Sequence, residues 1–312
     1  MSTKESTRVE YGKTLAQLGE EYPDIVVLDA DLSGSTHTKH FAQVFKNRFF
    51  NMGIAEQDLM GTAAGLALGG KIPFASTFAM FATGRAWEQI RQTIAYGNLN
   101  VKIVASHGGI TVGEDGGSHQ AIEDLALMRI LPNMVVLAPA DGPQTRAMTR
   151  WAAAYQGPVY MRTGRMSLPL IYDDSYRFEL GQGSVLREGS DVTLMGLGVM
   201  VHACLEAADL LAAEGIAARV VNLACLKPLD WELVVACARE TGAVVTAEEH
   251  MVTGALGSAV CEVLAEHHPV PVQRVGLRDT FGISGKPDLL LQHYGLTAAD
   301  VAAAARQVMA RK

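Results

Sequence analysis

Two histidines, His107 and His119, bracket a glycine-rich loop in the run SHGGITVGEDGGSHQAIEDLALMR (106–129), which also carries the acidic pair Glu114–Asp115. Imidazole exchanges protons near neutral pH, and glycine lets backbone approach a ligand in conformations that other residues avoid. Such a loop suits proton transfer on a small polar substrate; the plainer reading is a flexible surface loop with two incidental histidines. Upstream, Glu56 stands near the head of NMGIAEQDLMGTAAGLALGG (51–70), among glycine, alanine and aliphatic residues, with Asp58 two positions on. An ionised carboxylate in apolar surroundings is costly unless paired, so Glu56 is either a satisfied structural group or one that engages a ligand. Asp58 reads as structural. Phe78 and Phe81, three residues apart in PFASTFAMFATGRAW (73–87), share a helical face in a chain with only 6% aromatic residues. They suit a stacking platform for a flat ligand, or a place in the core.

Other motifs carry less. GLGVMV (196–201) lacks the third glycine and the following acid of a dinucleotide loop and reads as a tight strand-to-helix turn. HTKH (37–40) has metal-ligand spacing but no further ligand group linked to it, and reads as a solvated face. The four cysteines (Cys204, Cys225, Cys237, Cys261) form no CxxC pair and read as reduced, buried thiols. A net charge of −7, from 26 Lys+Arg against 33 Asp+Glu, argues against nucleic acid as a partner. The start MSTKESTRVE lacks the apolar centre of a signal peptide, and no apolar run approaches the roughly 18 residues that span a membrane. The expectation is a soluble, cytoplasmic protein.

These residues need elements to position them. Short β-branched runs alternate with alanine- and leucine-rich helical runs, which predicts an α/β fold with mostly parallel sheets. DIVVLDADL, NVKIVASH, NMVVLAPAD and GPVYMRTG read as strands, with GKTLAQLGEEY, GRAWEQIRQTIAYG and GPQTRAMTRWAAAY as helices. The segment 166–190, with proline, paired aspartates and scattered glycines, reads as a linker, after which a second α/β set begins at DVTLMGLG. Ligands in open α/β sheets gather beyond the carboxyl ends of strands, which points to Asp31, His107, Asp141 and Arg162–Arg165.

Taken together, GIAEQ, PFASTFAMF, RAWEQIRQ, SHGGITVGEDGGSHQAIEDLALMRILPNMVVLAPAD, RTGR, KPLD and SGKPDLLL resemble the carboxyl-terminal half of a transketolase. They occur in the family's order from about Arg8 to the end. The resemblance implies two three-layer α/β domains: a thiamine-diphosphate-binding pyrimidine domain over 1–180, including the start of the linker, and a transketolase C-terminal domain over 181–312. Transketolases are longer, and their amino-terminal domain carries a GDG…N motif that holds magnesium and the cofactor's diphosphate. No GDG occurs here, since GEDGG belongs to the substrate loop. The resemblance therefore implies a split transketolase. A separate N-terminal subunit would supply the diphosphate-binding domain and its magnesium or calcium ion, in an α2β2 heterotetramer, with no metal ligand in this chain.

The resemblance also assigns roles. Glu56 matches the glutamate that hydrogen-bonds the aminopyrimidine ring of thiamine diphosphate. Phe81, helped by Phe78, matches the aromatic pocket around that ring, and Asp31 falls near the cofactor and the chain–chain contact. His107 and His119 match histidines near the reacting carbons, and Asp115 an acid that reads hydroxyl configuration. Arg165, Arg8 and Ser35 match groups that bind the sugar phosphate, a dianion suited to planar guanidinium. RTGR departs from the commoner SR pattern by a glycine at position 164. The implied reaction moves a two-carbon ketol unit from a ketose phosphate to an aldose phosphate. Among rivals, a 2-oxo acid dehydrogenase β subunit shares the glutamate but gives no reason for GEDGGSHQ or Arg165. A deoxyxylulose-phosphate synthase fragment is less similar around AIEDLALMR, and a non-catalytic homologue has no need to keep this set.

Overall fold

The computed structural model describes residues 4–312. Its strands are β1 (Lys4–Ser6), β2 (Ile25–Asp29), β3 (Phe49–Asn51), β4 (Ile72–Phe78), β5 (Lys102–Ser106), β6 (Val135–Leu137), β7 (Val159–Arg162), β8 (Ser167–Pro169), β9 (Ser184–Arg187), β10 (Val192–Gly196), β11 (Ala218–Asn222), β12 (Cys225–Lys227), β13 (Val244–Met251) and β14 (Val272–Leu277). One sheet has the order β12-β6-β7-β5-β4-β2-β3, a second has β14-β13-β10-β11-β9, and β1 pairs with β8 alone. Neighbours in the first sheet run parallel except β12 against β6, and in the second except β9 against β11. Strands β2, β5 and β10 are buried at every residue, as parallel strands covered on both faces must be.

Helices Thr7–Glu21 and Gly142–Ala154 cover one face of the first sheet, setting Leu15, Leu18, Met148 and Ala152 among Val27, Phe74 and Val104. On the other face, Leu59, Met60 and Ala63 of helix Glu56–Leu68 join Ile90 and Ile94 against Leu28, Ala75 and Ile103. That cluster continues through Leu125 and Leu223 to Val234 and Leu256, so one apolar core spans both units. Helices Met200–Ala212 and Ala298–Met309 close the far face of the second sheet. The architecture is two α/β units with mostly parallel sheets, as the alternation in the sequence predicts. Among the described residues, no helix is long and apolar enough to cross a membrane. All four thiols are free, and burial pushes those of Cys204 and Cys225 up to about 12, which keeps them protonated.

Three details differ from the sequence expectation. The stretch 166–190 is pinned down: β8 pairs with β1, and β9 enters the second sheet. Asp141, a candidate strand-end ligand, accepts the amides of Ile171 and Tyr172 at 2.7 and 2.8 Å and caps helix Gly142–Ala154 through the Gln144 amide, so its carboxylate serves structure. The run GRAWEQIRQTIAYG is not a regular helix: π-helical turns at Phe81–Arg85 and Ile90–Ala95 flank one short α turn, Trp87–Gln89. Such widened turns re-aim side chains and recur at functional sites.

Candidate active site

The carboxyl ends of β4, β5 and β7 open on one cleft. His107, the first residue beyond β5, has φ of 61°, is 3% exposed, and lies on the Phe78 ring at 3.9 Å between centroids. Its Nδ1 is 2.8 Å from Ser106 Oγ and its Nε2 is 3.3 Å from Arg8 Nη1. A guanidinium can only donate, so Nε2 accepts and the proton sits on Nδ1, donated to the Ser106 hydroxyl. Burial, then Arg8 and Arg165, pull the His107 pKa down to about 3, which leaves the ring neutral near pH 7.

Arg8, in the first turn of helix Thr7–Glu21, also donates to the Ser35 carbonyl at 2.9 Å. It is the Ser35 carbonyl, rather than its hydroxyl, that meets the arginine. Arg165 donates to the Val112 carbonyl at 2.5 Å and lies 3.7 and 3.8 Å from Glu114 and Asp115. Gly164, the additional residue of RTGR, donates its amide to Thr7 Oγ1 at 2.8 Å. That contact ties the end of β7 to the helix carrying Arg8. Burial first, and Arg165 second, hold Arg8 below the usual guanidinium range.

The Phe78 and Phe81 rings are nearly parallel with centroids 6.0 Å apart, and His119 stands edge-on to Phe81 at 5.2 Å with Nδ1 2.9 Å from Ser118 Oγ. Glu56, the first residue of its helix, is 1% exposed, and its Oε2 accepts from Arg85 Nη1 at 2.7 Å. The Arg85 guanidinium also lies 4.7 Å over the Phe81 ring. A flat group with a hydrogen-bonding edge thus occupies the angle between Phe81 and Glu56.

Of the residues singled out in the sequence, Glu56, Phe78, Phe81, His107, His119, Arg8 and Ser35 are linked by these contacts in one cluster, and Arg165 and Asp115 lie beside each other. Asp31 is exposed, with φ of 62°, and accepts from Asn51 at 2.8 Å on the strand leading to Glu56. Its neighbour Asp29 is the buried one, bound by the Leu32 amide and the hydroxyls of Thr36 and Thr38 at 2.6, 2.7 and 2.9 Å. One residue of the cluster, Arg85, is not singled out by the sequence reading, and one, His37, is placed differently from it. Arg85 carries one sequence signal, a cation one wide turn beyond Phe81. The HTKH spacing points to a solvated face, yet His37 is half-buried; burial, then Arg8, pull its pKa down to about 4. Among the described residues, no group of three His, Cys, Asp or Glu side chains is disposed to hold a metal ion.

One end of the cleft is therefore cationic, with Arg8 and Arg165. The other is aromatic, with a buried carboxylate, and His119 stands beside Phe81 between them. This arrangement suits a substrate whose anionic tail lies at the arginines while its reacting end meets a planar ring.

Residues 3–170 match the family model for the transketolase pyrimidine binding domain, and residues 181–301 that for the transketolase C-terminal domain. The chain is 50% identical to a protein of Methanocaldococcus jannaschii named for a transketolase C-terminal section, covering 95% of this chain and 93% of that one. It is 45% identical to a 6-deoxy-6-sulfo-D-fructose transketolase subunit of Clostridium sp., covering 98% and 95% respectively. Among solved structures, a split-gene transketolase in the form of an inactive β4 tetramer superposes with a TM-score of 0.93 at 60% identity, over 99% of both chains. The transketolase of Leishmania mexicana superposes with a TM-score of 0.84 at 25% identity, over 100% of this chain and 46% of that one.

Proposed function

The chain belongs to the transketolase family, and on that footing we propose that it is the carboxyl-terminal subunit of a two-subunit, thiamine-diphosphate-dependent transketolase. It moves a two-carbon ketol unit from a ketose phosphate to an aldose phosphate. The observation that carries this reading is the convergence in one cleft of the Phe81–Glu56 angle and the Arg8–Arg165 end. We take 1–180 as the pyrimidine domain and 181–312 as the C-terminal domain.

The aminopyrimidine of thiamine diphosphate suits the aromatic end, a reading supported by Arg85, whose flat, hydrogen-bond-donating guanidinium lies against Phe81 and Glu56. Phe78 and Phe81 hold the ring and Glu56 binds its nitrogen edge. When bound, the cofactor supplies the nucleophilic carbon and the electron sink for carbon–carbon cleavage. Asp31, on the exposed edge leading to Glu56, faces the cofactor and the subunit contact. The diphosphate and its magnesium or calcium ion are held by a partner subunit bearing the GDG…N domain, in an α2β2 assembly.

This chain's own residues do the rest. Arg8 and Arg165 grip the sugar phosphate. When Arg8 turns to that anion, the neutral His107 ring presents a free Nε2 to a substrate hydroxyl, with Nδ1 still held by Ser106. Asp115 accepts from a hydroxyl of the correct configuration, and His119 exchanges a proton at the reacting end.

The test is reconstitution. The purified chain alone gives no ketol transfer. Mixed with a GDG…N partner, thiamine diphosphate and magnesium, it converts xylulose 5-phosphate and ribose 5-phosphate. Glu56→Gln abolishes that turnover while the circular dichroism spectrum stays unchanged. Activity of the chain by itself, or turnover confined to 2-oxo acids, overturns the reading.

A further inference from the structure

The carboxyl-terminal unit grips the loop that carries His107 and Asp115 at several points, one of which is a buried carboxylate. Glu249, on β13 and 6% exposed, accepts the Thr111 amide at Oε1, 2.6 Å away. Its backbone carbonyl accepts from Arg162 Nη2 at 2.8 Å, and its Oε2 lies 4.0 Å from the same guanidinium. Arg162, at the end of β7, is in turn 3.6 Å from Asp124, which accepts from the Tyr160 hydroxyl at 2.7 Å.

The loop is threaded over this pair without slack. A Cβ on Gly108 would fall 1.9 Å from Arg162 Nε, and one on Gly109, whose φ is +80°, would fall 2.2 Å from Glu249 Cδ and 2.4 Å from Arg162 Nη2. Immediately before them sits His107 in a left-handed conformation that a residue with a side chain keeps only where its surroundings over-determine it. Farther along, the carboxyl-terminal unit fastens the same loop again. Gln120 Nε2 donates to the carbonyls of Ile110 and Ile283 at 3.2 and 3.0 Å, and Ser284 Oγ donates to the Glu114 carbonyl at 2.6 Å.

We propose that Glu249 is a positioning residue for the reaction: through the Thr111 amide and Arg162 it fixes the backbone from His107 to Asp115 in the shape that presents both side chains to substrate. The inference rests on the substrate-side reading of the cleft given above. It assigns the second unit a part in catalysis without placing any of its groups on the reacting atoms. Glu249 acts at the sugar end, so its removal leaves the cofactor end, built from Glu56 and Phe81, intact.

Two variants and two readouts test this. Glu249→Gln keeps an oxygen for Thr111 and the same volume; Glu249→Ala keeps neither. In the assembled enzyme, Glu249→Ala lowers kcat/KM for the ketose phosphate on the order of 10- to 100-fold, the cost expected of a misplaced contact, while thiamine diphosphate affinity is unchanged. Glu249→Gln restores most of the rate. In the isolated full chain, amide hydrogen exchange rises across 107–117 in Glu249→Ala and stays at wild-type level in Glu249→Gln. Wild-type kinetics and exchange in Glu249→Ala overturn the proposal. So does a variant that loses cofactor affinity together with rate and exchanges faster throughout both sheets. If the wild-type assembly transfers no ketol unit, the functional reading fails, and the exchange measurement still decides whether Glu249 holds the loop.

Discussion

Replacing Arg85 with methionine asks whether the protein's own guanidinium and the cofactor's pyrimidine compete for one place. Arg85 makes two contacts there, an ion pair to Glu56 at 2.7 Å and a stack over Phe81 at 4.7 Å. Glu56 is 1% exposed but the Arg85 side chain is 48% exposed, so water screens much of the pair and it contributes about 0.5–1 kcal/mol, toward the value of surface pairs. The cation–π contact at a half-exposed site adds about 0.5–1 kcal/mol. Together the guanidinium is held by about 1–2 kcal/mol, which any ring occupying the same angle must overcome, so its observed affinity is lowered about 5- to 30-fold. Arg85→Met keeps the aliphatic stem and removes both contacts. The expected outcome is a thiamine diphosphate dissociation constant about 5- to 30-fold smaller for the variant, measured by titration calorimetry on the chain assembled with its GDG…N partner. Raising the salt concentration should narrow the gap, because screening weakens the ion pair in the wild type alone. An unchanged or weaker affinity in Arg85→Met, with the fold intact by circular dichroism, refutes the competition.

Three further outcomes follow from the geometry. His107 has its pKa drawn down to about 3, against about 6.5 in an unfolded chain, so the unfolded state binds the proton that the folded state refuses. Its contribution to stability is complete above pH 6.5 and is lost as pH falls toward the folded value; His107→Phe, which keeps a ring on Phe78, should flatten the loss between pH 6.5 and 4 in urea unfolding, and an identical acid limb would contradict this. Arg165→Met should raise KM for the sugar phosphate about 10- to 100-fold, the worth of a charged hydrogen-bond pair, and should abolish competitive inhibition by inorganic phosphate; an unaltered KM removes Arg165 from phosphate binding. Tyr160→Phe takes from the fully buried Asp124 its hydroxyl donor at 2.7 Å and should cost about 1–3 kcal/mol in unfolding free energy, with no change in midpoint counting against the network.

Much of the cleft was legible because its chemistry is concentrated in short runs. An acid in an apolar stretch, paired aromatics and histidines around glycine mark themselves by residue type, and Glu56, Phe78, Phe81, His107 and His119 were readable in that way. Arg85 was not, because a cation one turn beyond Phe81 is too weak a signal by itself to set it above Arg91 six residues later; the π turn and the burial of Glu56 distinguish them. Glu248 and Glu249 are likewise equivalent in the string TAEEH. On the strand they point to opposite faces, so Glu248 takes the amides of Leu256 and Gly257 at 2.8 Å while Glu249 takes that of Thr111. Asp141 was open to misreading, although the Asp-Gly-Pro-Gln order before an alanine-rich run already carries a helix-cap signal. β12 is three residues long, too short for any alternation to register, and its partner lies in the other half of the chain.

That small strand bears on how the chain is made. β12 shields β6, the strand that would otherwise present an unpaired edge of the first sheet. A ribosome has to emit the chain through Lys227, well past β10 and β11, before the amino-terminal sheet can be finished. The last strand of the first sheet is thus made after two strands of the second, a departure from the simple case in which all of an upstream domain precedes the next. For the same reason, a gene cut between the two units would release a first half whose open β6 edge invites pairing with other nascent chains.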